Sequence, residues 1–195
     1  IANCRSDRTL NGKNVPEAAM QRLKRNDLDA QIETILEIEK AGGASGVFHG
    51  MSEDDVRRYL AHPNTMFASD GGPKVVDDTV PHPRSYGNNA RALQVYVREQ
   101  GLLRLEDAIR RMSSLPAQTF RIADRGLVRE GLAADLVLFD PASVREHATF
   151  TAPHQYATGF ALVMVNGVVV VRDDVHTGQK PGKALRLRDR AVSAN

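Results

Sequence analysis

A single cysteine, Cys4, no tryptophan and an aromatic share of only 5% set the first limits on this chain. One thiol excludes an intrachain disulfide and fits a reducing, cytoplasmic compartment. No apolar run approaches the roughly 20 residues that a membrane-spanning helix needs. An excess of one charge is missing too. Lys and Arg number 26 against 24 Asp and Glu, a formal +2, too little for the electrostatic footprint of a nucleic-acid partner. The nearest approach to a basic cluster, Lys180 to Arg190, contains Asp189 and reads as a terminal tail. No signal-peptide pattern is visible, and the chain opens on Ile1 rather than Met. It reads as a piece of something longer.

What is present is a globular composition. The apolar share is 42% over 195 residues, enough for one good core or a core with a small satellite. Pro16 opens a predicted helix to about Asn26. Leu28, Ile32, Ile35 and Leu36 recur at i, i+4, i+7 and i+8, so a second helix is expected, stopped by Gly42-Gly43. The short apolar stretch Ala44 to Met51 ("ASGVFHGM") suits a buried strand. Ser52 and Asp55 form a capping pattern for a helix carrying Val56, Tyr59 and Leu60 on one face. A further strand over "NTMFASD" (Asn64 to Asp70) follows. Helices are then expected over Asn88 to Gln100 and along Leu105, Ala108, Ile109 and Met112. Beyond Gly126 the period becomes that of strands: "GLVREG", "ADLVLFD" and "ALVMVNGVVVVRD", with Asn166-Gly167 as a type I′ hairpin signal. The expected class is α/β, with a separate β-structure from about Ile122.

Two stretches carry chemistry. The strand ending "SDGG" leaves Asp70 at a carboxyl end, where ligands gather in α/β folds, and two glycines allow close backbone approach. A carboxylate there binds a metal, acts as acid and base, or simply caps the next turn. Downstream, "PHPRSYG" (Pro81 to Gly87) stiffens His82 and Arg84 between prolines. The guanidinium fork of Arg84 matches an anionic substrate; the alternative is an exposed arginine beside a packed histidine.

"MSEDDVRRYLAHPNTMFASDGG" followed by "PHPRSYG" resembles the N-acyl-D-amino-acid deacylases (D-aminoacylases) of the amidohydrolase superfamily. "LPAQTFRIADRGLVREGLAADLVLFDPASV" is similar to the closing pattern of that superfamily. The resemblance implies the C-terminal part of a metal-dependent-hydrolase (β/α)8 TIM barrel over residues 1–121, with Ala44 to Met51 as strand seven and Asn64 to Asp70 as strand eight. It implies the closing strands of a small β-sandwich, and the tail, over 122–195. By the same resemblance Asp70 touches a zinc site, takes a proton from the attacking water and returns it to the departing amine. Arg84 would bind the substrate α-carboxylate, Met51 would line the pocket, and His82 would join in substrate binding.

The other ligands expected for such a zinc site are not found. There is no His-x-His, and His49, His62, His82, His147, His154 and His176 match no metal-ligand spacing. His49 reads as a packed or pocket-wall residue and His62 as structural. No chemistry is read at His147, His154 or His176. Cys4 reads as a loop or pocket-rim residue, and Arg5 and Arg8 offer charge for an acidic D-side chain. Two parallel strands cannot close a barrel, so activity is expected only with a second polypeptide carrying the rest of it, or self-association must cover the apolar faces. Two competing readings are a hydantoinase or dihydroorotase relative and a non-catalytic interaction fragment. A binding module built on the β segment alone is a third.

Overall fold

The computed structural model describes residues 1–72 and 74–185; the end of the basic tail, residues 186–195, lies outside them. In chain order the elements are β1 (Asn3–Cys4), a 3₁₀ turn (Arg8–Leu10), α1 (Val15–Leu23), α2 (Leu28–Lys40), β2 (Ala44–Ser45), α3 (Glu53–Ala61) and α4 (Arg84–Arg91). α4 runs into a π-helical stretch, Ala92–Glu99, and is followed by α5 (Leu105–Met112), α6 (Ser114–Thr119), β3 (Leu136–Phe139), β4 (Phe160–Val165), β5 (Val168–Arg172) and β6 (Val175–His176). Contacts divide the chain into two compact units. The first gathers Ile1–Met51, Ser69–Asn88 and His147–Tyr156; the second gathers Ser52–Ala68, Asn89–Glu146 and the chain from Ala157 on. The units interleave along the sequence.

In the first unit, α1 starts on a reciprocal cap. Asn14 Oδ1 accepts from the Glu17 amide at 2.8 Å, and Glu17 Oε2 accepts from the Asn14 amide at 2.9 Å, so two otherwise orphaned donors are satisfied. Asp27 caps α2 by accepting from the Ala30 amide at 3.0 Å. Cys4, Leu10, Ala18 and Ile38 form the core here, and Cys4 is fully buried rather than at a pocket rim. α2 lies where the period predicts it, yet its other face is the buried one. Ala30, Thr34 and Ile38 are buried, while Leu28 and Leu36 are 69% and 54% exposed. The small Ala18 and Ala19 of α1 admit only that narrow contact, and Thr34 hides its hydroxyl by donating to the Ala30 carbonyl at 2.8 Å.

The expected strand seven shrinks to β2, paired antiparallel to β1 with Asn3 opposite Ser45 and Cys4 opposite Ala44. Expected strand eight forms no ladder. Asn64 lies in a turn and residues 65–70 form no regular element, with no strand partner among the described residues. A parallel strand needs neighbours on both edges to satisfy its backbone, and side chains take over instead. In the second unit, Arg111 of α5 is only 3% exposed. Its guanidinium donates to the carbonyls of Leu60 and His62, the latter at 2.9 Å, and pairs with Asp107. Arg110 Nη2 donates to Pro63 O at 2.5 Å, and the Arg111 carbonyl accepts from the Phe67 amide at 3.3 Å. The core of the second unit, Ala90, Leu93, Tyr96, Leu103, Ala108 and Val144, receives Val56 and Leu60 from α3. Tyr59, expected on that face, is exposed.

The β segment is a four-stranded antiparallel sheet in the order β3-β4-β5-β6. Asn166 (φ 49°) and Gly167 (φ 79°) join β4 to β5, the left-handed pair that a type I′ turn requires. Asp173 and Asp174 repeat this geometry between β5 and β6, a hairpin that the sequence pattern did not signal. "GLVREG" is not a strand. Gly126 there has φ 88°, and any Cβ would sit 2.6 Å from Ala117 Cβ, so close approach to α6 replaces ladder pairing.

Arg111 and Arg110 hold the Asp107 carboxyl below the usual aspartate range, the Arg111 hydrogen bond being the largest cause. A depressed acid pKa adds stability above the unfolded value, near 4, that is lost as pH falls through the folded value. Asp107→Asn is therefore expected to destabilise the chain at pH 7 by about 1.5–3 kcal/mol. The gap from wild type should close in acid, as urea unfolding at pH 7 and pH 3 would measure.

Candidate active site

The candidate residues of "SDGG" and "HPRSYG" belong to one unit, and the structure brings two of them into contact. Asp70 has φ 47°, a left-handed conformation uncommon outside glycine. Its neighbours shape that corner: Ser69 Oγ and the Gly71 amide are 3.2 Å apart. Gly71 is pressed on the next segment, since a Cβ there would lie 2.7 Å from Ser85 Oγ and 3.0 Å from Ser85 Cα. Only a glycine fits so close an approach. The backbone of Gly71 thus lies against the residue that follows Arg84, and Asp70 Oδ2 meets Arg84 Nη2 at 2.8 Å.

The side chains of that pair are 85% and 40% exposed. An ion pair so open to water contributes at most about 1 kcal/mol, so it does not hold the fold. It leaves a carboxylate and a guanidinium side by side and available to a ligand.

His82 has a structural part in this corner. Its Nδ1 accepts from the Arg84 amide at 3.0 Å, which caps the first turn of α4. Burial lowers the His82 pKa, and the nearby Arg84 and His49 charges lower it further, so the ring is held neutral and its Nδ1 lone pair is free to cap. Phe150 stands between two imidazoles, with ring centres 4.6 Å from His49 and 5.0 Å from His82, both edge-on. His49 is exposed apart from this ring contact. Met51 is exposed. His62 Nδ1 accepts from the Asn64 amide at 3.3 Å, a turn role, and His176 Nδ1 likewise takes the Gly178 amide at 2.9 Å.

Arg8 pairs with Asp78 at the surface, and Arg5 is exposed. Sequence reasoning missed Tyr86, Phe150 and His154. His154 Nδ1 lies 2.7 Å from Tyr86 Oη, and its Nε2 lies 2.7 Å from the Thr79 carbonyl. No spacing rule links positions 68 and 75 residues apart, and the residues around His154 carry no motif.

Among the described residues, no three His, Cys, Asp or Glu side chains come together as a metal-holding group. The charged group against Asp70 is a guanidinium, which repels a cation. These residues do not by themselves fit a metal centre. No helix among the described residues is long and apolar enough to cross a membrane.

The comparisons with known proteins agree with one another. A D-aminoacylase of Alcaligenes xylosoxydans xylosoxydans is 39% identical over 185 residues, 95% of this chain and 36% of that protein. Among solved structures, a D-aminoacylase described for its binuclear metal centre is 37% identical with a TM-score of 0.78, over 92% of this chain and 35% of that one. An N-acyl-D-glutamate deacylase from Bordetella bronchiseptica, complexed with zinc and a phosphonate inhibitor, is 36% identical with a TM-score of 0.69, over 81% and 31%. The chain thus spans about a third of the length of these relatives, matching their C-terminal portion. Its fold class is that of a part of their α/β barrel enzymes. The profile of the amidohydrolase family matches residues 4–171, and this chain is a member of that family.

Proposed function

We propose that the chain supplies the C-terminal part of a zinc-dependent deacylase that hydrolyses N-acyl-D-amino acids to a D-amino acid and a carboxylate. Residues 1–121 belong to its barrel, and 122–195 are its β-sandwich segment and basic tail. The observation that carries this reading is the 2.8 Å contact between Asp70 and Arg84. In an N-acyl amino acid, the amide nitrogen and the α-carboxylate are attached to the same carbon. A base that serves the nitrogen and a guanidinium that holds the carboxylate must then be near neighbours, and these two are.

In this reading Arg84 releases Asp70 and takes the substrate carboxylate in its fork. Asp70, freed, accepts a proton from the water that attacks the acyl carbon. As the C–N bond breaks, Asp70 returns that proton to the departing amine. His82 keeps the Arg84 turn capped, and Met51 lines the side-chain pocket. Asp70 would be this chain's contribution to a zinc site, whose remaining ligands would come from the rest of the barrel. The uncovered α2 stripe and Phe48, 88% exposed, are surfaces that the same remainder, or a second polypeptide, would bury. The relatives named above support the D configuration. Identities of 37% and 36% to a D-aminoacylase and an N-acyl-D-glutamate deacylase do not single out a D-side chain. One cysteine, buried and unpaired, supports a cytoplasmic setting.

The lack of a three-ligand group in the described residues favours one second reading, a chain with no activity of its own. The purified 195-residue chain with zinc added should therefore not hydrolyse N-acetyl-D-methionine; turnover would mean that it assembles a complete site unaided. In the complete enzyme, rates on N-acetyl-D-amino acids should exceed those on hydantoins, and the reverse order would move the chain to the cyclic-amide branch.

Arg84→Ala in the complete enzyme should raise KM by the loss of a charge-assisted pair, about 2–4 kcal/mol. An unchanged kcat/KM would remove Arg84 from the substrate. Asp70→Asn should abolish turnover while bound zinc, measured by elemental analysis, largely stays. Normal turnover would return Asp70 to a turn-forming role.

A further inference from the structure

The guanidinium of Arg84 is useful only if its turn is held still, and the turn is gripped on both sides. All of the gripping groups come from His147–Tyr156, which lies in the same compact unit as the turn although about 70 residues further along the chain. Before Arg84, the His82 ring packs edge-on against Phe150 at 5.0 Å. After it, Tyr86 meets His154 edge-on at 5.4 Å, and the tilted ring of Tyr156 lies at 5.6 Å. The turn that carries Arg84 is thus held by ring contacts two residues before it and two residues after it.

The polar bonds of His154 have a single self-consistent arrangement in the neutral ring. A carbonyl only accepts, so Nε2 carries the hydrogen and donates it to Thr79 O at 2.7 Å. Nδ1 is then an acceptor and takes the Tyr86 hydroxyl proton, also at 2.7 Å. Burial pushes the Tyr86 phenol up, which keeps that hydroxyl a donor. Thr79 is itself fixed. Its amide and hydroxyl donate to Asp77 Oδ1 at 2.9 and 2.5 Å, and the next amide, Val80, donates to Ala2 O at 2.8 Å. Asp78 beside it pairs with Arg8, and its carbonyl accepts from Asn11 Nδ2 at 3.0 Å.

We infer that Tyr86 and His154 are positioning residues, a hydrogen-bonded latch that ties the Arg84 turn to the Thr79 carbonyl and so sets the place of the substrate α-carboxylate. This rests on the reading of Arg84 given above. The latch touches neither substrate nor base in that reading. It acts through the first turn of α4, where the Tyr86 amide donates to Pro83 O at 2.9 Å and the Gly87 amide to the same carbonyl at 3.1 Å. Loss of one hydroxyl leaves the ring packing in place but frees the turn to shift, and a misplaced guanidinium weakens binding more than the chemical step.

The test is a double-mutant cycle in the complete enzyme, with N-acetyl-D-methionine as substrate. Tyr86→Phe should raise KM about fivefold, the loss expected for one hydrogen bond, with kcat changed less than twofold. His154→Leu should do the same, and His154→Gln, which retains one acceptor and one donor, should recover part of the loss. In an Arg84→Ala background, Tyr86→Phe should add nothing further. If Arg84→Ala raises KM but Tyr86→Phe leaves it alone, or adds its full effect on top of Arg84→Ala, the latch is wrong and the Arg84 reading stands. If Arg84→Ala itself leaves KM unchanged, the Arg84 reading fails, and the latch with it. A fall in kcat at constant KM for Tyr86→Phe would also overturn the latch.

Discussion

Arg111 sits almost wholly out of water with its charge intact, and the second unit is arranged so that this is tolerable. An unpaired guanidinium in that place would cost several kcal/mol. Asp107 one turn back and the carbonyls that close α3 surround it, while the Phe67 amide donates to the Arg111 backbone carbonyl. The stretch from Leu60 to Phe67 has no strand beside it among the described residues, so its backbone is satisfied by α5 instead. Helix, helix end and the irregular stretch after it are therefore one hydrogen-bonded group, with Val56, Leu60 and Phe67 packed on the core that it frames.

The site is built by a different economy. Nothing deep holds Asp70 and Arg84 together; their contact is open to solvent. Its position comes from backbone instead: a left-handed Asp70, a glycine with no room for a side chain, and a turn capped by His82 and gripped through Tyr86. A weak pair on a well-held frame can exchange partners, and the proposed chemistry asks for that. A buried, well-paired Asp70 would be too stable to give up Arg84 or to pass a proton.

Several sequence expectations differ from the structure for identifiable reasons. The period of Leu28, Ile32, Ile35 and Leu36 placed α2 correctly, but period says only that a face is apolar, not that something covers it. The apolar run Ala44 to Met51 has strand composition and forms a two-residue ladder, because strand propensity needs a neighbour to become structure. Cys4 looked like a rim residue because its neighbours are polar, and lies in the core because β1 points it inward. His154, dismissed with the β segment, became part of the Arg84 neighbourhood once the chain folded back.

What the sequence by itself determined is local: helix starts at Pro16 and Ser52, the I′ turn at Asn166-Gly167, the helical periods, and the motif residues Asp70 and Arg84 that carry the family resemblance. Each depends on side chains a few positions apart and on the conformational limits of one or two residues. Tertiary structure alone decided the rest: the meeting of Asp70 with Arg84, the burial of Arg111, the commitment of Arg8 to Asp78 and the latch through His154. These join groups from 14 to 75 residues apart. Such contacts exist only when the whole unit's burial and backbone hydrogen bonding are satisfied together, and no short pattern encodes that.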